Sequence, residues 1–240
     1  MRLLRCLTLP VLLGLITGCT TTTGPSGRAI KDTTRTFTTV VVDAGHGGKD
    51  NGAYRRYGGA EKTATLDVAR RLERNLRESQ LHTVMTRSSD RFIPLDERVR
   101  IENSQTNAVF VSIHFNDSRK RGIHGFETYY HSSTSREMAE RIQKHLLTIP
   151  HSVNRGVHFA SFRVLRNAEY PAVLVECGFL SNRKEGGEAR DSEYRELLAG
   201  RIAEAIVEMR YGHGVYNAKA APPAPGPSGP GLAPSTLRPR

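Results

Sequence analysis

The stretch Thr38-Thr39-Val40-Val41-Val42-Asp43-Ala44-Gly45-His46-Gly47-Gly48 is an apolar, β-branched run that ends on a carboxylate, a glycine-bounded turn and a histidine. A strand with one wet face alternates apolar and polar residues. The uninterrupted valines here therefore read as a strand over 38–43 that is buried on both faces. The same pattern recurs twice. Val109-Phe110-Val111-Ser112-Ile113 runs into His114, and Ala172-Val173-Leu174-Val175 runs into Glu176. Between the first two, Glu61 opens a stretch to Gln80 in which Leu66, Ala69, Leu72 and Leu76 share one helical face.

His82–Thr86 and Phe126–Tyr130 read as further strands. Leu95–Gln105 (after Pro94), Ser135–Leu147 and Ser192–Met209 read as helices, the last carrying Leu198, Ile202, Ala205 and Met209 on its inner face. Strands alternating with helices predict an α/β fold, one domain built on a central sheet. Strand order does not follow from spacing. In open α/β sheets ligands gather at the carboxyl ends of strands, so His46, Glu61, His114 and Glu176 are expected to converge. Two neutral imidazoles and a carboxylate suit a catalytic zinc with an open position, and a spare carboxylate then serves as proton acceptor. Singly, each has a plainer reading. His46 or His114 alone could be a hydrogen-bonded structural histidine, and Glu61 a first-turn acid facing a helix dipole. Glu176 on an apolar strand is harder to explain that way, because an unpaired buried carboxylate is costly. The glycines from Gly45 to Gly52 lack the Gly-Lys-Ser/Thr ending of a phosphate-binding loop.

With 240 residues, 38% of them hydrophobic and 25% charged, the chain holds one domain of ordinary globular composition. Lys and Arg outnumber Asp and Glu by 35 to 24, a net charge of +11, which fits an anionic polymer or a membrane face. Neither an aromatic stacking platform nor a recognition motif points to nucleic acid. Arg55, Arg56, Arg119, Lys120 and Arg121 read either as a groove lining for an acidic peptide or as a solvated basic face. His82, His124, His131, His145, His151, His158 and His213 belong to no constellation, and Glu127 is expected to hydrogen-bond a loop.

At the start, Arg2 and Arg5 precede an apolar run from Leu7 to Ile16 that is short for a membrane span, and Leu15-Ile16-Thr17-Gly18-Cys19 resembles the bacterial lipobox. That resemblance implies a lipoprotein signal peptide over 1–18, cleavage before Cys19 and lipidation of its sulfur; the alternative is a plain signal peptide. Residues 19–36 then read as the lipidated cysteine and a flexible tether, 37–216 as the catalytic domain, and the Ala/Pro/Gly-rich 217–240 as a disordered tail. With Cys6 removed and Cys19 lipidated, Cys177 stands alone, so no disulfide framework is expected.

The string Val40-Val41-Val42-Asp43-Ala44-Gly45-His46-Gly47-Gly48-Lys49-Asp50-Asn51-Gly52-Ala53 resembles the opening motif of the N-acetylmuramoyl-L-alanine amidases of the "amidase 3" family. The likeness continues through Glu61-Lys62, Met85-Thr86-Arg87, Pro94 to Arg98, Val111 to His114, Gly125 to Tyr130, Arg155-Gly156-Val157, Phe162 to Leu165, and Pro171 to Asn182. It implies a mixed, twisted sheet with helices on both faces. It further implies one zinc ion held by His46, Glu61 and His114, Glu176 as general base, and Asp43 as the carboxylate behind a ligating histidine. The implied reaction is hydrolysis of the amide between muramic acid and L-alanine in peptidoglycan, at the periplasmic side of the cell envelope. Thr20 after Cys19 points to the outer membrane. Tyr130 passes through Ser132 to the next helix without an inserted plug, which implies that no activator is needed. Cys177 departs from the family's usual aliphatic residue and reads as a buried core thiol. Two other readings stay open: a zinc peptidase acting on the stem peptide, and a non-catalytic peptidoglycan-binding lipoprotein.

Overall fold

The structure, a computed structural model, describes residues 30–120 and 122–216. The expected signal peptide, Cys19, most of the tether, Arg121 and the tail lie outside the described residues. In chain order the elements are β1 (Thr39–Ala44), β2 (Tyr54–Arg55), β3 (Gly59–Ala60), α1 (Glu61–Glu78), β4 (His82–Met85), α2 (Leu95–Asn103) and β5 (Ala108–Asn116). There follow β6 (Phe126–Tyr130), α3 (Ser133–Leu146), β7 (Asn154–Phe159), α4 (Arg163–Arg166), β8 (Ala172–Phe179), α5 (Arg183–Glu188) and α6 (Ser192–Tyr211).

A six-stranded sheet has the order β4-β1-β5-β8-β6-β7, and β2–β3 form a separate small hairpin. The strands β4, β1, β5 and β8 run parallel, and β6 turns against β8 with β7 parallel to it. The mixed α/β sheet expected from the sequence is therefore present. Its valine runs are buried on both faces for a simple reason. Val40 and Val42 point into a core shared with α1, α3 and α6, while Val41 points the other way, to a second core with Phe110, Leu174, Val164 and Leu165 under α2 and α4. Helix α6 lies between α1 and α3. It buries Leu197, Ala199, Ala203, Ile206 and Val207 besides the four residues its spacing marked, because neighbours cover more of its circumference than one stripe.

Residues 30–36, read as tether, belong to the folded unit. The Lys31 N–H donates to the Glu169 carbonyl at 2.8 Å and Thr33 Oγ1 to the Ala108 carbonyl at 2.5 Å, and both Thr33 and Thr34 are buried. Polar composition hid this, since Thr33 bonds the start of β5, Thr34 bonds Asp32, and neither belongs to an apolar period. Cys177 packs in the larger core at 1% exposure, and burial pushes its thiol well above the ordinary range.

Candidate active site

The adjacent parallel strands β1, β5 and β8 bring their carboxyl ends to one edge of the sheet. Register pairs Asp43 with Ser112, and His114 with Glu176. His46 follows β1 across the Gly45 turn, and Glu61 is the first residue of α1. The four residues that the sequence marked line one cavity of about 740 Å³.

Three of them meet atom to atom. Glu61 Oε1 lies 3.0 Å from His46 Nε2 and 3.0 Å from His114 Nδ1, and one donor atom from each residue falls within 4.8 Å of the others. The imidazole rings stand edge to face at 4.8 Å. Burial opposes charge on Glu61, but the hydrogen bonds from His114 and His46 outweigh it and hold the carboxyl well below its usual range. Burial likewise opposes charge on His46, and Glu61 with Asp50 outweighs it, raising the imidazole. Two imidazoles and a carboxylate converging on one point are a zinc-type donor set with room for a further ligand. The residues present fit such an ion.

Two glycines make the convergence possible. A Cβ at Gly45 would lie 2.4 Å from the His114 ring, and one at Gly52, at φ +61°, would lie 2.4 Å from Glu61 Oε2 and 2.7 Å from His46 Cδ2. Any side chain at either position would displace the donors. His46 itself adopts φ 62°, a left-handed conformation that costs a β-carbon-bearing residue on the order of 1–3 kcal/mol. Its backbone is pinned from outside: Arg98 donates to the carbonyls of Ala44 and His46 at 2.7 and 2.6 Å, and Arg87 to those of Ala44 and Gly45 at 2.9 and 2.7 Å.

Asp43 departs from its expected place behind a histidine. Its carboxylate accepts from Arg98 at 2.5 Å and from Thr86 and Ser112 hydroxyls at 2.6 Å each. Burial opposes its charge, and Arg98 with the two hydroxyls more than offsets that, so the carboxyl sits below its ordinary range. The reason is register: Asp43 still belongs to β1 opposite Ser112, whereas His46 lies beyond the turn. The carboxylate behind His46 is Asp50, whose Oδ2 lies 2.9 Å from Nδ1 while its Oδ1 accepts the Gly52 N–H at 2.9 Å. Asp50, Arg87 and Arg98 stood inside the motifs quoted above without an assigned role; the four-residue spacing of Asp50 from His46 was the only signal.

Glu176 differs from all of these. It is partly exposed through the cavity, and its Oε2 is buried without a hydrogen-bond partner among the described residues. Burial, then the charges of Glu61 and Glu127, raise its carboxyl well above the ordinary range. Its strand neighbour Glu127 stays outside the donor group, accepting from Arg155, Asn116 and Tyr129 at 2.6, 2.7 and 2.8 Å.

Comparison with known proteins gives the family and the fold. The sequence model for N-acetylmuramoyl-L-alanine amidase matches residues 40–208. The chain is 35% identical over 173 residues to the N-acetylmuramoyl-L-alanine amidase LytC of Bacillus subtilis, covering 70% of this chain and 35% of LytC, so it spans about a third of that relative's length. The fold superimposes on the amidase AmiC2 of Nostoc punctiforme with a TM-score of 0.68 at 37% identity, over 71% of this chain and 95% of the other. The catalytic domain of CwlV from Bacillus (Paenibacillus) polymyxa var. colistinus gives 0.66 at 38%, over 72% and 97%. With the motifs in family order, the same fold and the donor group at the strand ends, this chain belongs to the N-acetylmuramoyl-L-alanine amidase family.

Proposed function

We propose that this chain is a zinc-dependent hydrolase that cuts the amide between N-acetylmuramic acid and L-alanine in peptidoglycan. The observation that carries the reading is the meeting of His46 Nε2, Glu61 Oε1 and His114 Nδ1 in the same cavity as a carboxylate whose Oε2 is left without a protein partner. His46, Glu61 and His114 would hold the zinc, which when bound lowers the pKa of water toward neutrality and polarises a carbonyl. Asp50 keeps the His46 ring turned with Nε2 toward the site. Glu176 takes the proton of the attacking water and returns it to the departing nitrogen of L-alanine. Arg87 and Arg98 hold the 44–46 backbone against the strain at His46.

Anchoring belongs to the same proposal: Cys19 lipidated, the domain facing the periplasm from the outer membrane, and a tether that raises local concentration on the wall. So does independence from an activator, supported by the passage from β6 to α3, where Tyr130 and Ser133 are separated only by His131 and the helix-capping Ser132. The test is metal analysis of the purified chain with mass spectrometry of digested muropeptides. The expected result is one zinc per chain, release of an intact stem with a free L-alanine amine, and loss of both on chelation. Cleavage inside the stem would make it a peptidase, and wall binding without cleavage a non-catalytic lipoprotein.

A further inference from the structure

The pair Glu61-Lys62 stands among the motifs of the family resemblance, and the proposed chemistry uses only its first member. Lys62 follows Glu61 on the first turn of α1, and neither it nor Asp90 lines the cavity. Every polar group of Lys62 is nonetheless engaged in joining the segments around the site. Its N–H donates to the Asn51 carbonyl at 3.2 Å, and its carbonyl accepts from Arg87 Nη2 at 2.9 Å and Thr65 Oγ1 at 3.2 Å. Its Nζ donates to the Gly48 carbonyl at 2.7 Å and pairs with Asp90 at 2.9 Å, while Asp90 Oδ1 accepts the Gly48 N–H at 2.7 Å. One ion pair therefore grips both backbone groups of Gly48.

Gly48 and Lys49 form the tip of a turn that closes on itself. The Gly47 N–H donates to the Asp50 carbonyl at 2.9 Å, and the Asp50 N–H to the Gly47 carbonyl at 3.1 Å. Those bonds fix the turn internally but not its place relative to α1, which carries Glu61. The place matters because Asp50 orients the His46 ring, and the Asp50 side chain is 43% exposed. Water competes for such a carboxylate. What keeps it behind Nδ1 is the Gly52 N–H and the backbone beneath it. Arg87 and Arg98 pin the residues before the turn, at 44–46. The Lys62–Asp90 pair pins the turn itself.

We infer that Lys62 is a positioning residue for the metal site: by tying Gly48 to α1 it sets Asp50 behind His46 and holds the two against Glu61, with Asp90 as a second point of attachment. The consequence for zinc rests on the metal reading given above; the positioning rests on the hydrogen bonds alone. Attraction between the two charges contributes little, because the Asp90 side chain is 56% exposed. The bonds to Gly48 carry the effect.

The test is a double-mutant cycle on the purified full chain, read as zinc affinity by competition with a chromophoric chelator. Lys62→Met keeps the stem of the side chain and removes the ammonium. It is expected to weaken zinc by about tenfold, the lower end of the cost of losing a partner behind a ligating histidine. In an Asp50→Asn background the turn has no carboxylate left to place, and the same change should cost less than about twofold, the usual limit of additivity. Asp90→Ala, at an exposed position, repeats the cycle with a smaller loss should Lys62→Met fail to fold, and that loss should vanish in the same background. A second readout needs no metal. In the zinc-free chain the Gly52 amide, which bonds Asp50 and not Lys62, should exchange its hydrogen faster in Lys62→Met, while amides inside β1 and β5 keep wild-type rates.

Equal losses of affinity in both backgrounds, or wild-type affinity in Lys62→Met, would overturn the proposal. So would faster exchange throughout β1 and β5, which marks lost stability in place of lost position. If wild type binds no zinc, the metal reading falls and exchange decides this one. Acceleration confined to 47–53 upholds the positioning role, and unchanged exchange at Gly52 sinks it.

Discussion

Asp43 on β1 and Glu176 on β8 flank the same central strand, β5, and the sheet puts them in opposite electrostatic states. Asp43 is saturated: a guanidinium and two hydroxyls donate to it, and its charge is stabilised. Glu176 keeps one oxygen without a donor, and burial, followed by two neighbouring carboxylates, pushes its proton affinity up. A carboxylate that is fully hydrogen-bonded is a structural part, because a proton placed on it would displace a donor and remove the charge those donors stabilise. One left with an empty acceptor beside a cleft is available to exchange protons. Sequence alone cannot separate the two, since both follow valines on buried strands.

The largest expected effect would break this comparison on the Glu176 side. Glu176→Gln should lower kcat by about a thousandfold, within the span of general-base catalysis, while zinc content and thermal melting stay at wild-type values. Turnover near wild type would remove Glu176 from the chemistry. On the Asp43 side, Asp43→Asn should cost about 3–5 kcal/mol in denaturant unfolding, because it leaves Arg98 buried without its counter-charge. Asp43 is held below its ordinary value of 3.8, so its stabilisation is complete above that value and is lost as pH falls through the lower, folded value. The deficit of the variant should therefore persist from neutrality down into the ordinary aspartate range and close only below it. A kcat defect in Asp43→Asn without a stability loss would contradict the structural assignment.

A smaller change tests which carboxylate stands behind the histidine. Asp50→Asn should weaken zinc binding by about 10–100-fold, the usual cost of losing such a partner, measured by competition with a chromophoric chelator. Smallest is a third buried carboxylate. Glu102 is fully buried with no well-formed hydrogen bond to either oxygen, and burial raises it well above 4.5. A raised acid contributes fully below its unfolded value and destabilises progressively as pH rises above it. Glu102→Gln should therefore match wild type in melting near pH 4 and exceed it by about 1–2 kcal/mol near pH 8, each pKa unit being worth about 1.4 kcal/mol. Equal melting at both pH values would show that Glu102 does not carry a raised pKa.

Much of this was legible in the residues. Buried strands show as valine runs that end abruptly, and chemistry shows as polar residues placed where burial would otherwise punish them, which is why His46, His114, Glu61 and Glu176 stood out. The elements that escaped lacked such signatures. β7 has the burial of an edge strand, with Asn154, Arg155, His158 and Phe159 exposed, so no apolar alternation marks it. The β2–β3 hairpin is two residues a side, too short for any period. Asp43, which the resemblance put behind a ligating histidine, instead accepts from Arg98, Thr86 and Ser112, because the turn at Gly45 carries His46 away from it.

From the amino-acid order alone came the fold class, the family resemblance and the identity of the four converging residues, because strand burial and helix periodicity are local properties written into neighbouring side chains. Only the tertiary structure decided the strand order, the pairing of Asp50 rather than Asp43 with His46, and the saturation of one carboxylate and the isolation of another. Those depend on which distant segments lie side by side, and hydrogen bonding and desolvation are set by neighbours in space, whatever their separation along the chain.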